Sequence, residues 1–346
     1  MTPFSDRALP PREPSAFERA VERAADQRRA RDGVLDLSIT RPIDAGLAGA
    51  SAPSPIDPGA RARLASELEA PIEQVLLAAS VDAALRAVLS LLTDPGDEVL
   101  GPSPGAPVLA DLAHLASVQL VTYPAPPGRG LDLGALYDAI GERTRAIVAQ
   151  SPHEPTGEML DAEGLEALAS LGLPLVIDER LAGYPLAGGA RPRPVAQGSL
   201  VLRVGACPEG APIEPAWIAA GGPHAREAIA RLALAVEPPQ AMFPSAAREP
   251  WRAGIQERCA RNLDALRALP GLTTTPAFGG WLAPLRLPGA LDADGWALAL
   301  LDRGVLVRSA ASYDLDGPWI LVSLLTPPAT LDEAIGVLRA ATRDHK

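Results

Sequence analysis

Apolar, strand-like runs alternate with helix-like segments between residues 74 and 204, and this alternation constrains the fold more than any other feature of the sequence. The runs are QVLLAA (74–79), DEVLG (97–101), VQLVTY (118–123), RAIVAQ (145–150), LPLVIDE (173–179) and SLVLRV (199–204). Helical patterns follow the first four of them, at 82–93, 107–116, 131–140 and 161–170. Continuous apolar strands separated by helices indicate a mostly parallel sheet that is covered on both faces. The sequence therefore predicts an α/β fold.

The two ends of the chain have different patterns. An amphipathic helix is predicted over residues 15–31, where Ser15 and Glu18 make a capping-box pattern. The C-terminal part is predicted to hold a helix near 244–268, antiparallel strands in TTTPAFGGWLAPLRL, a helix at 290–303, the runs GVLVRS and WILVSLL, and a closing helix at 330–342. We therefore expect a smaller α+β domain there. The expected division is an N-terminal arm (1–45) that packs with the small domain, a large domain (46–240) and the small domain (241–346).

Composition argues against several classes of protein. Of the 346 residues 47% are hydrophobic, yet no apolar run approaches the ~18 residues that a membrane-spanning helix needs. The first residues have neither the basic start nor the apolar stretch of a secretion signal. A net charge of −11 disfavours a nucleic-acid surface, which needs clustered cations. Cys207 and Cys259 make no metal-binding pattern and fit a reducing compartment, so we expect a cytoplasmic protein without membrane or nucleic-acid partners.

Lysine is almost missing from the chain. Of the 31 basic residues, Lys346 is the single lysine and the others are arginines. A GC-rich genome explains the exchange of surface lysine for arginine. It does not explain the loss of a lysine that does chemistry, because arginine stays protonated and cannot act as an amine nucleophile. Any function that needs an internal lysine is therefore excluded within residues 1–345.

Seven motifs follow one another along nearly the whole chain. They are LDLSITRP (35–42), TDPGDEVLGPSPGAP (93–107), SPHEPTGEML (151–160), VIDERLAGYPL (176–186), WIAAGGP (217–223), GGWLAPLRLP (279–288) and GVLVRS (304–309). In this order they resemble the class I/II aminotransferases, which are pyridoxal-phosphate (PLP) enzymes of fold-type I. The resemblance implies a large domain with a mostly parallel sheet flanked by helices, a smaller C-terminal α+β domain, and active sites at a dimer interface. It also implies PLP attached to a lysine.

The family's cofactor contacts fall on residues that depart from the family's pattern. The lysine, eleven residues before Trp217, becomes Ala206, and the hydroxyl residues of the phosphate turn become Val81 and Asp82, after Ser80. Two further contacts of the phosphate and the partner subunit also change: the resemblance puts Glu214 in place of a basic phosphate contact and Ser51 in place of the second subunit's tyrosine. Around the cofactor ring, Leu109 or Ala106 replaces the stacking aromatic residue. Glu154 replaces the asparagine of NPTG, and Leu181 replaces the tyrosine at the ring hydroxyl. WILVSLL lacks the family's substrate arginine. Asp178 alone keeps the family's residue, the aspartate that pairs with the pyridinium nitrogen.

These departures lead us to expect no bound cofactor. Asp82 is interpreted as a helix N-terminal residue that satisfies backbone N–H groups, and a phosphate would face its charge. Asp178 is interpreted as a carboxylate at the end of a buried strand, held by backbone donors. With Glu154 and Glu214, the two aspartates predict an acidic pocket. Cys207, next to the lysine position, is interpreted as a small buried residue rather than a reactive thiol.

Three functional hypotheses follow. The leading one is a non-catalytic aminotransferase homologue with a binding or structural role, as a homodimer or as the partner of an active paralogue. The second is an enzyme that uses PLP or pyridoxamine phosphate without a lysine, or that has new chemistry in the remodelled pocket. A working aminotransferase is the third, and the lysine count excludes it.

Overall fold

The computed structural model describes residues 16–31, 33–47, 54–186, 198–207, 215–242, 245–275 and 277–345. The helices are α1 Ala16–Arg31, α2 Ala60–Glu67, α3 Val81–Leu92, α4 Val108–Leu115, α5 Leu133–Asp138, α6 Ala162–Ser170, α7 Ala225–Leu232, α8 Ser245–Arg267, α9 Ala293–Leu301 and α10 Pro328–Asp344. The strands are β1 Leu35–Asp36, β2 Ser54–Pro55, β3 Val75–Ala78, β4 Glu98–Ser103, β5 Gln119–Pro124, β6 Thr144–Gln150, β7 Leu175–Asp178, β8 Val201–Ala206, β9 Ala216–Gly221, β10 Ala241–Met242, β11 Thr273–Thr274, β12 Leu282–Arg286, β13 Val305–Leu306, β14 Arg308–Ser309 and β15 Trp319–Ser323.

A seven-stranded sheet has the strand order β3-β9-β8-β7-β6-β4-β5. β5, β4, β6, β7 and β8 are parallel to one another, whereas β9 is antiparallel to both β3 and β8. The prediction of a mostly parallel, helix-flanked sheet is confirmed. β9 reverses because only residues 207–215 separate it from β8, too few for the crossover that a parallel neighbour needs.

Burial explains why the central strands are apolar throughout. Every residue of β7 and of β8 is buried, so neither strand shows the alternation of a half-exposed sheet. Four of the α-helices start at polar side chains that accept a hydrogen bond from the first turn. The capping residues are Ser80 for α3, Asp132 for α5, Asp161 for α6 and Asp292 for α9. These caps place the helix starts within three residues of the predicted ones.

The carboxyl ends of β6, β7 and β8 lie side by side. Gln150 pairs with Asp178 in the β6–β7 register, and Asp178 pairs with Val204, two residues before the end of β8 at Ala206. Ligands of open α/β sheets bind at this edge, where the strand order reverses. The N-terminus of α3 directly follows β3 at Ser80.

The C-terminal part contains a separate four-stranded antiparallel sheet of order β11-β12-β15-β14. α8 contacts α10, and α9 lies against β14 and β15. The predicted C-terminal helices and antiparallel strands are confirmed. α1 contacts α9, and β2 pairs with β10. The division at residues 45 and 240 remains a prediction, and Ser15 of the predicted capping box lies outside the described residues.

No helix among the described residues is long and apolar enough to cross a membrane.

Candidate functional site

Ala206, where the resemblance implies a lysine, ends strand β8 on the carboxyl edge of the sheet. It is 8% exposed, its backbone pairs with Ala216, and its carbonyl oxygen accepts a hydrogen bond from Nε1 of Trp217 at 3.3 Å. Its methyl side chain offers no amine. The next residue, Cys207, is buried against Trp217 as a small core residue, in agreement with the interpretation made from the sequence.

Three of the residues named from the sequence lie outside the described part of the chain. They are Ser51, Glu214 and Lys346. Their predicted roles therefore stay predictions.

Arg180 occupies the cleft between the two aspartates of the predicted pocket. Its Nε donates to Oδ2 of Asp178 at 2.7 Å, and its Nη2 lies 3.2 Å from Oδ1 of Asp82. Its backbone N–H donates to Oδ1 of Asp178 at 3.0 Å. Asp178 therefore uses both carboxylate oxygens on one arginine. The guanidinium group joins the end of β7 to the first turn of α3.

The charge of Arg180 is fixed by its surroundings. Burial alone lowers the pKa of Arg180, but the carboxylates of Asp178, Asp82 and Glu154 together raise it above its ordinary value. The inner pair is shielded from solvent, with side chains 20% and 8% exposed for Arg180 and Asp178, whereas Asp82 is 53% exposed. Because exposed ion pairs contribute only about 0–1 kcal/mol, the contact with Asp178 dominates the anchoring of Arg180.

Two interpretations from the sequence need correction here. The cap of α3 is Ser80, whose Oγ accepts from the N–H of Ala83 at 3.2 Å, and not Asp82, which is directed to Arg180. Ser80 has the extended backbone of a capping residue, while Asp82 already lies inside the helix. The pocket is also not simply acidic, because Arg180 neutralises part of its charge. Arg180 was not predicted from the sequence, although its position two residues after a strand-ending aspartate was a usable signal.

Very little space remains beside the guanidinium group. The cavity there is about 20 Å³, and Asp178, Arg180, Gln150, Ala106 and Leu109 are among the residues that line it. Ligand pockets usually measure about 300–1,000 Å³. Leu109 and Ala106 therefore do lie at the predicted position, but as packing residues. Val81 is 8% exposed and Leu181 is 6% exposed, and both are core residues without a hydroxyl group.

Glu154 belongs to a polar group beside this cleft. Its backbone N–H donates to Oε1 of Gln150 at 3.0 Å, and Tyr313 donates its hydroxyl to Oε1 of Glu154 at 2.9 Å. Burial raises the pKa of Glu154, against the opposing effects of the Tyr313 hydrogen bond and the charge of Arg180. Nε2 of Gln150 is buried without a hydrogen-bond partner. The carboxylate is therefore engaged by Tyr313.

His153, in the same loop, is a structural residue. Its Nε2 lies 3.0 Å from the carbonyl oxygen of Pro104, so Nε2 is the donor, and Nδ1 accepts from Oγ1 of Thr156 at 2.8 Å. Burial lowers the pKa of His153 to about 4. The ring is neutral at pH 7 and has no free nitrogen for proton transfer.

These residues do not fit PLP. Residues 1–345 contain no lysine, an arginine fills the space between the two aspartates, and the remaining cavity is too small for a substituted ring. In addition, the carboxylate of Asp82 lies in the first turn of α3, where the resemblance implies a phosphate site and where its charge would repel a phosphate. The chemistry that this arrangement supports is ion pairing within the protein.

Part of the chain matches a known enzyme family in sequence. Residues 46–185 match the family model "Aminotransferase class I and II". A stretch of 106 residues is 38% identical to the probable N-succinyldiaminopimelate aminotransferase DapC of Mycobacterium tuberculosis, covering 30% of this chain and 27% of that protein. A stretch of 108 residues is 30% identical to a histidinol-phosphate aminotransferase of Dehalococcoides mccartyi, covering 31% and 30%. The matches thus span less than a third of the length of these two curated relatives.

Solved structures match over nearly the full length. An alanine aminotransferase from Pyrococcus furiosus superposes with a TM-score of 0.79 over 98% of this chain and 100% of that chain, at 20% identity. A Thermus thermophilus aspartate aminotransferase mutant superposes with a TM-score of 0.76 over 99% and 100%, at 23% identity. At such identities the superpositions establish the fold alone. Residues 46–185 therefore match the class I and II aminotransferase family in sequence, within a chain that has the PLP-transferase fold of type I.

Proposed function

We propose that this protein is a non-catalytic homologue of the aminotransferases that keeps the fold for a binding or structural role. The observation that carries the proposal is the position of Arg180, which is bound between Asp178 and Asp82 in the cleft where the family holds its cofactor. Ala206 at the lysine position supports it, because no internal residue can attach PLP covalently.

The energetic argument rests on the charges around Arg180. A ligand that enters the cleft must displace the guanidinium group and leave Asp178, which is 6% exposed, without its cation. Breaking a buried ion pair in this way costs about 3–5 kcal/mol. A phosphate at α3 would also meet Asp82, and a unit like-charge pair at about 4 Å costs on the order of 4 kcal/mol at an effective dielectric constant of 20. Both costs oppose PLP.

The structural role that we propose is that of one subunit in a dimer. By its resemblance to the family, the chain is suited to form a homodimer, or a heterodimer with an active paralogue in the cytoplasm. Light scattering of the purified protein separates monomer from homodimer. Co-purification of the tagged protein from its native cell, followed by mass spectrometry, tests for a paralogue partner, and recovery of neither form of dimer contradicts this role.

The experiment for the non-catalytic proposal is a PLP titration followed by absorbance spectroscopy. We expect no saturable PLP band in the wild-type protein. After borohydride reduction and peptide mapping, any label should be confined to the N-terminal amine or to Lys346, the two amines in the chain. Saturable binding together with transamination of an amino acid would refute the proposal.

A second candidate function is favoured by one observation, the retention of Asp178 at the end of β7. In the family this aspartate pairs with the cofactor ring, so an enzyme that uses PLP or pyridoxamine phosphate without a lysine would keep it. Against this candidate, Asp178 already has Arg180 as its partner. A titration with pyridoxamine phosphate distinguishes the two, because this candidate requires saturable binding that the Asp178→Asn variant loses.

A further inference from the structure

A second cavity, of about 750 Å³, lies between helix α1 and strands β13 and β14. Its volume is in the usual range for small-molecule sites. None of the residues that line it also lines the 20 Å³ cavity beside Arg180. The two spaces are therefore separate, and a ligand in the larger one need not displace Arg180.

Arg308 contributes a positive charge to this cavity. Its Nε donates to the carbonyl oxygen of Ser38 at 3.2 Å, and its Nη1 donates to the hydroxyl of Tyr313 at 3.3 Å. These two contacts hold the guanidinium group in place. Among the described residues no carboxylate lies within ion-pair distance of it, and its charge acts on Glu154 through Tyr313, whose hydroxyl donates to Glu154. Partly buried cations in proteins are normally paired, so Arg308 is a suitable partner for an anionic group.

The opposite charge is also present on the cavity walls. Glu18 and Glu22 of α1 line the cavity, and so does Asp294, whose Oδ1 accepts from the hydroxyl of Ser309 at 2.5 Å. Three carboxylates and one guanidinium group give the walls a net negative charge, so they repel a ligand that carries only negative charge. A ligand with both charges can place its negative end at Arg308 and its positive end at the exposed Glu22.

Apolar side chains form the rest of the walls. Phe17 and Val21 lie on the same face of α1, four residues apart, and Leu306 and Val307 face them from the strand side. The carboxylate of Glu22 belongs to the helical wall and Arg308 to the strand wall. The charged groups of a ligand that bridges the two walls are therefore separated by an apolar body.

We propose that this cavity binds a linear zwitterion, with a carboxylate on Arg308, an ammonium group at Glu22, and an apolar chain between them. The inference extends the binding role proposed above by naming a ligand class and a site. It does not involve the cleft of Asp178, and no covalent step takes place.

The test is calorimetric titration of the full-length protein with three probes of equal chain length, 6-aminohexanoate, hexanoate and hexylamine. They differ only in their end groups. We expect 6-aminohexanoate to bind about tenfold or more tightly than either of the others, because each loses one charge-assisted contact. Equal affinity for all three probes, or no binding of 6-aminohexanoate, would overturn the proposal.

Two variants assign the end groups. Arg308→Met should remove the preference for 6-aminohexanoate over hexylamine, whereas Arg286→Met, at an exposed arginine over the ring of Trp319, should leave it unchanged. Glu22→Gln, at an exposed position, should weaken 6-aminohexanoate and strengthen hexanoate, because one repelling charge is lost. Unchanged selectivity in the folded Arg308 and Glu22 variants contradicts the assignment.

These outcomes are distinguishable from those of the PLP titration. Failure of 6-aminohexanoate to bind, together with absence of PLP binding, would refute this site and leave the non-catalytic role in place. Saturable PLP binding with turnover would refute the non-catalytic role and leave the assignment of this cavity to be decided by the three probes.

Discussion

Arg180 is the residue that most distinguishes this cleft from one that holds a cofactor. Its replacement by methionine keeps the length of the side chain but leaves Asp178 buried without a cation. We expect Arg180→Met to lower the free energy of unfolding by about 3–5 kcal/mol, measured by urea denaturation. The matched control is Arg145→Met, which removes the exposed pair with Asp97 and should cost no more than about 1 kcal/mol. Equal costs in both variants would show that Asp178 does not depend on Arg180.

Substitution of Ala206 by lysine tests whether the absence of a lysine is the only obstacle to PLP binding. We expect Ala206→Lys to show no saturable PLP absorbance, because Arg180 still fills the cleft and only about 20 Å³ is open. The double variant Ala206→Lys with Arg180→Ala should bind PLP more tightly, and adding Asp82→Thr should improve affinity further by removing a charge that repels phosphate. If the single variant binds as tightly as the triple, Arg180 is no obstacle to the cofactor.

At the scale of the element, the start of α3 decides which side chain caps the helix. Ser80 accepts from the N–H of Ala83, and Asp82 contacts Arg180 instead. We therefore expect Ser80→Ala to cost about 1 kcal/mol of stability and Asp82→Ala less, since its side chain is 53% exposed. Thermal unfolding of both variants shows which substitution costs more stability. A larger loss of stability in Asp82→Ala than in Ser80→Ala would identify Asp82 as the cap.

At the scale of the whole molecule, His153 connects a loop at the sheet edge to the rest of the fold. Burial lowers its pKa from 6.5 to about 4. Between these values the unfolded chain binds a proton that the folded protein does not, so stability is complete above pH 6.5 and decreases as pH falls toward 4. At 1.36 kcal/mol per pKa unit, the loss is about 3 kcal/mol when complete.

The variant His153→Gln isolates this contribution. The difference in unfolding free energy between wild type and variant should shrink as the pH falls through that window, when both are measured by urea denaturation. Burial raises the pKa of Glu154, which gives the opposite slope above its ordinary value of 4.5, but Glu154 is present in both proteins and its effect cancels in the difference. If the difference in unfolding free energy does not change with pH, folding does not lower the pKa of His153, and the folded protein binds the proton as readily as the unfolded chain.

The sequence by itself determined the order and type of most of the longer helices and strands and the absence of an internal lysine, but it did not predict α7. Strand and helix patterns depend on the periodicity of neighbouring residues, so the runs that became β6, β7 and β8 were readable before any fold was known. Capping is also local, and the correction from Asp82 to Ser80 shifts the cap by only two positions. The lysine count needs no structure at all.

The tertiary structure alone decided which charges meet. Asp82 and Arg180 are far apart in the chain, and only the packing of α3 against the sheet brings them within 3.2 Å. The same holds for Arg308, whose contacts with Ser38 and Tyr313 come from different segments. The resemblance predicted an acidic pocket because it placed four carboxylates around the site without showing their partners. Whether a charge is free or paired depends on distances and burial, and these are fixed only when the chain has folded.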